Sequence, residues 1–73
     1  MLNSVTVVAQ LYKNGVMWIN EDANIDELGV AVHTALSMVP APPVLHDWTD
    51  IHKMRRYLLQ LMKIIHLARR RGR

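Results

Sequence analysis

From His46 to His52 the chain reads His-Asp-Trp-Thr-Asp-Ile-His, the stretch in which metal-binding and acid–base groups lie closest together. Two imidazoles and two carboxylates are donor types that zinc accepts. Their spacing points elsewhere. His46 and Asp50 are four apart and can face one another at a helix start, but His52 projects away from Asp47 and Asp50. Those two carboxylates stand where a helix needs its first N–H groups accepted. The stretch therefore predicts helix capping and solvated histidines, and no metal site. Nucleophilic catalysis has less to work with, because the chain has no cysteine and neither Ser4 nor Ser37 lies beside a plausible base. Gly15, Gly29 and Gly72 are scattered, so no glycine-rich phosphate cradle is present. His33 lies next to an apolar helical stripe and reads as a partly buried or interface histidine. The expectation is a non-enzyme with no catalytic residue, no cofactor and no metal.

What positions this cluster is a long helix, expected over about residues 48–71. Pro40, Pro42 and Pro43 forbid a continuous helix from upstream, Asp47 is expected as its cap, and Asp50 supplies acid to the first turn. Ile51, Met54, Leu58, Leu61, Ile65 and Ala68 recur at spacings of three and four. With Tyr57, Met62 and Ile64 they form an apolar arc of about 160°. Opposite lie His52, Lys53, Arg56, Gln60 and Lys63, continued by Arg70 and Arg71. Arg55 stands at the apolar edge and Leu67 intrudes on the polar side. The seam has heptad spacing but is too short for a coiled coil.

The elements before it predict an α+β fold, a β-hairpin followed by two helices (ββαα), in one small domain of 73 residues. The hairpin is expected over about residues 4–20, with Val5–Tyr12 alternating as a strand and Asn14-Gly15 as a two-residue turn. That turn pairs Tyr12 with Met17, Leu11 with Trp18 and Gln10 with Ile19. Leu11 and Trp18 then share the core face, while Val8, Tyr12, Met17 and Ile19 make the other face too apolar for water. A second hairpin across a dimer would complete such a sheet. Asn24, with Glu27 as its capping-box partner, opens a first helix over about residues 25–38, whose stripe is Ile25, Leu28, Val32, Ala35, Leu36 and Val39. The Pro-rich run 40–43 is a stiff connector setting the angle between helices.

Half the residues are apolar, more than a domain of this size readily hides, and no disulfide is available, so a homo-oligomer, with a dimer favoured, is expected. Charge is split. Residues 1–52 hold one lysine and all six acids, a balance of −5, and residues 53–73 hold eight basic residues and no acid. No run of apolar residues is long enough to span a membrane and no secretory signal is evident, which predicts a soluble intracellular protein.

Two functions fit. The favoured one is a protein-binding module, an adaptor or inhibitor of the kind small viral or phage accessory proteins provide. It would act through the apolar helix face of Ile51, Met54, Leu58, Leu61, Met62 and Ile65. The alternative is nucleic-acid binding without sequence specificity, through Lys53, Arg55, Arg56, Lys63, Arg69, Arg70, Arg71 and Arg73, whose positive ends would neutralise phosphates. The same residues would receive an acidic protein partner. Docking of the basic amphipathic helix on an anionic membrane surface ranks below both.

Overall fold

The computed structural model describes residues 7–71. In chain order it contains strand β1 (Ala9–Leu11), strand β2 (Met17–Ile19), helix α1 (Ile25–Leu36) and helix α2 (Ile51–Arg71). This is the expected ββαα order of an α+β fold. Ser4, Val5 and Thr6, assigned to the hairpin from the alternation, lie outside the described residues.

The hairpin turns where Asn14-Gly15 predicts, but its loop is one residue longer. Tyr12 N–H donates to the Val16 carbonyl at 2.9 Å and Gly15 N–H to the Tyr12 carbonyl at 2.9 Å, which leaves Lys13, Asn14 and Gly15 as a three-residue loop. Gly15 has φ +90°, the left-handed conformation that such loops require, and Asn14 Oδ1 accepts from Val16 N–H at 3.1 Å. The register becomes Ala9–Ile19, Gln10–Trp18 and Leu11–Met17. A shift of one residue exchanges the faces of a strand. Met17 and Ile19 therefore join Ala9 and Leu11 against the helices, and Trp18, expected in the core, is 43% exposed opposite the exposed Gln10. The second apolar face that a two-residue turn implied is not formed.

Helix α1 starts as its sequence requires. Asn24 Oδ1 accepts from Glu27 N–H at 2.8 Å and Glu27 Oε1 accepts from Asn24 N–H at 2.9 Å, a complete capping box. It stops at Leu36, short of the expected end, where Ser37 Oγ donates to the Thr34 carbonyl at 2.6 Å. Helix α2 begins later than expected. Asp50, not Asp47, is its cap: Asp50 Oδ1 accepts from His52 N–H at 2.9 Å and Lys53 N–H at 3.2 Å. Those are the second and third helical residues, the donors that a cap can reach. Asp47 instead closes a separate turn by accepting from the N–H (2.9 Å) and hydroxyl (2.6 Å) of Thr49.

The core lies between the helices. Leu28, Val32 and Ala35 of α1 meet Met54, Tyr57, Leu58, Leu61, Met62 and Ile65 of α2, with Ala23 and Val39 at the margins. The inner face of the hairpin adds partly buried cover. Gly29 does not enforce the approach of the helices, since a Cβ there would stand 3.6 Å from Met54 Cε, an ordinary contact. The whole is a slab 37 × 34 × 18 Å, thin enough for only two layers of elements.

Candidate partner-binding surfaces

Three side chains fasten the long helix to what precedes it. Arg55 Nη2 donates to the carbonyls of Glu21 at 2.7 Å and Ala23 at 3.4 Å, tying α2 to the link between β2 and α1. Tyr57, itself buried, donates its hydroxyl to the Pro43 carbonyl at 2.6 Å. Its ring meets Trp48 edge-on, with centroids 6.4 Å apart and planes at 63°. The connector is thus held along the first turns of α2, while Trp48 remains 44% exposed.

The apolar face expected to receive a partner is enclosed by the chain's own elements. Met54, Leu58, Leu61, Met62 and Ile65 are each at most 6% exposed, and Ile51 is half-buried. One chain fills this seam because α1 offers a complementary stripe at the same spacing. The apolar surface that remains lies elsewhere. Val30 (68% exposed) stands on the side of α1 that the hairpin does not cover, and Met38 (51%) lies in the turn just beyond the end of α1, where its N–H donates to the Ala35 carbonyl at 3.0 Å, with Thr34 between the two in sequence. Thr34 Oγ1 donates to the Val30 carbonyl at 3.0 Å, so its hydroxyl is already engaged.

These residues form one wall of a groove of about 410 Å³. The opposite wall is β1, from Val7 to Leu11, and the floor is Leu58, Met62 and Ile65 of α2. Arg69 lines the groove as well and is exposed. It stands one turn beyond His66, whose ring packs on Gly15, so it marks the end nearest the hairpin loop. This wall was legible in part: Val30 and Met38 are apolar yet fall outside the stripe that packs on α2, and Val30 and Thr34 are neighbours on one helical face.

The basic residues separate into two groups. Arg55 is engaged with backbone carbonyls, whereas Lys53, Arg56, Lys63, Arg69, Arg70 and Arg71 are exposed. Arg73 lies outside the described residues. Lys53 is close enough to Asp47 to act on it. The Thr49 hydroxyl and N–H hold the Asp47 carboxyl below its ordinary pKa, and the charge of Lys53 adds to the effect. Among the described residues no group of three or more His, Cys, Asp or Glu side chains is placed to hold a metal ion. Within them no helix is long and apolar enough to cross a membrane. No family model, curated protein or solved structure matches this chain.

Proposed function

We propose that this chain is a small, non-enzymatic protein-binding module whose docking surface is the groove between β1 and α1. The observation that carries this reading is the exposed pair Val30 and Met38 beside a strand edge, above the apolar floor of Leu58, Met62 and Ile65. Large apolar side chains exposed together along a concave surface mark sites where another molecule excludes water. An adaptor or inhibitor would act here. The homodimer suggested by composition would use this groove or other exposed apolar side chains, Trp18, Val44, Trp48 and Leu67 among them, because the seam of α2 is filled within one chain.

A second reading, nucleic-acid binding without sequence specificity, rests on a separate observation. Lys53, Arg56, Lys63, Arg70 and Arg71 are exposed along α2, and the helix carries no carboxylate from Ile51 to Arg71. Phosphates would bind such a face through charge alone, with an affinity that falls steeply as salt rises.

One experiment separates the two. A photo-reactive side chain is placed at Val30 or at Lys53 in the full-length protein, within cells that express it. The protein-binding reading expects a discrete protein adduct from position 30 that disappears when Met38→Glu is added. Adducts to nucleic acid from position 53, with none to protein from position 30, would overturn it in favour of the second reading.

A further inference from the structure

Building on the protein-binding reading, we infer that the groove takes its partner as an added β-strand, an extended segment that pairs with the open edge of β1 and carries an acidic residue beside Arg69.

In an antiparallel pair, alternate residues direct both backbone groups to the partner strand and the residues between direct theirs away. Tyr12 N–H donates to Val16 O, and Asn20 N–H donates to Val8 O at 2.8 Å. Val8, Gln10 and Tyr12 therefore face β2, and the N–H and C=O groups of Ala9 and Leu11 point to the other edge. No backbone or side-chain group among the described residues bonds to them. That edge is one wall of the groove, so two donors and two acceptors in strand spacing border an apolar trough.

A helix laid in the trough would leave those four groups without partners once water is excluded, at a cost comparable to the bonds it forgoes. An extended segment satisfies them and sends every second side chain toward Leu58, Met62 and Ile65, while Val30 on α1 and Met38 in the turn after it close its far side. The hairpin covers only part of the helical layer, and an added strand lies in the same layer as the hairpin. Charge supplies the remaining specification. Arg69 is exposed at the loop end of the groove, and none of the described residues lining the groove is acidic. A carboxylate on the incoming segment would meet the guanidinium without competition from the site itself.

The test uses full-length protein and a displayed library of random short peptides. Enriched sequences are expected to have apolar residues at every second position and an aspartate or glutamate at one end. A synthetic peptide made from the enriched sequence should slow amide exchange at Ala9 and Leu11 and leave Gln10 unchanged. N-methylation of alternate amides on the pairing edge should abolish binding, and Arg69→Glu should weaken it at least about tenfold. Apolar spacing of three and four among the enriched peptides, equal enrichment on a Val30→Glu variant, or no enrichment at all would overturn strand addition. The photo-adduct at position 30 does not depend on how the partner is held. If it forms while strand addition fails, the groove stands as a docking site with a differently shaped occupant.

Discussion

The ring of His66 lies against Gly15, so close that a Cβ on the glycine would stand 2.8 Å from Nε2. Gly15 also holds φ +90°, a conformation costing other residues about 1–2 kcal/mol. Gly15→Ala should therefore destabilise the fold by at least about 1 kcal/mol in a urea melt. The double variant with His66→Ala should recover the part due to the ring and leave the backbone part. Full additivity of the two substitutions would show that ring and loop do not interact.

The glycine within α1 should respond in the opposite sense. Gly29 lies within α1 at an unstrained backbone position, and its Cβ would meet Met54 at ordinary distance. Gly29→Ala is expected to stabilise by about 0.4–1 kcal/mol. A lower midpoint in the same melt would mean that the helices approach more closely at Gly29 than the geometry indicates.

Neighbouring arginines should separate by role. Arg55→Ala removes the bonds to the Glu21 and Ala23 carbonyls and should cost about 1–3 kcal/mol of stability. Arg56→Ala, on the solvent face, should leave stability within about 0.5 kcal/mol. Should nucleic acid bind, Arg56→Ala should lower the salt slope by about one, whereas Arg55→Ala should act on it only by unfolding the chain.

Substitutions of the α2 seam report on folding rather than on docking. Leu61 is fully buried, and Leu61→Ala should cost about 2–5 kcal/mol. Domains of this size have about 5–15 kcal/mol at most to lose, so Leu61→Asp should abolish the cooperative thermal transition altogether. A Leu61→Asp variant that still melts cooperatively would contradict the packing described.

Asp47 sets a pH dependence. Its folded pKa lies below its unfolded value because of the two bonds from Thr49, so the carboxylate contributes stability above the unfolded pKa, near 4. That contribution is lost as pH falls through the lower folded value. Thr49→Val, which deletes the hydroxyl, should flatten the acid limb of a melting-temperature profile below about pH 4. An unchanged acid limb would assign the dependence to other carboxylates.

The order of elements and both helical stripes were legible because capping residues, prolines and apolar spacing act locally and agree. Asn24 and Glu27 predicted their own bonds correctly. The hairpin register was not legible, since Asn-Gly serves a two-residue or a three-residue loop, and Gly15 at φ +90° decided for the longer one. That one residue moved Trp18 from core to surface. The cap of α2 was displaced because Asp47 and Asp50 are equally suited, and Thr49 engaged the first. The groove was hidden for a different reason: the wide apolar arc of α2 reads as docking surface in the sequence, whereas α1 fills it and leaves Val30 and Met38 exposed instead.

Every element that packs on α2 precedes it in the chain, and α2 alone contributes six buried side chains. As the polypeptide leaves the ribosome, Leu28 and Val32 emerge before the α2 side chains that form the other half of their core. Folding of this unit must therefore wait until translation has passed Ile65. A message cut short within α2 would yield a fragment with its apolar stripe exposed to proteases, so the cell would accumulate this fold either whole or not at all.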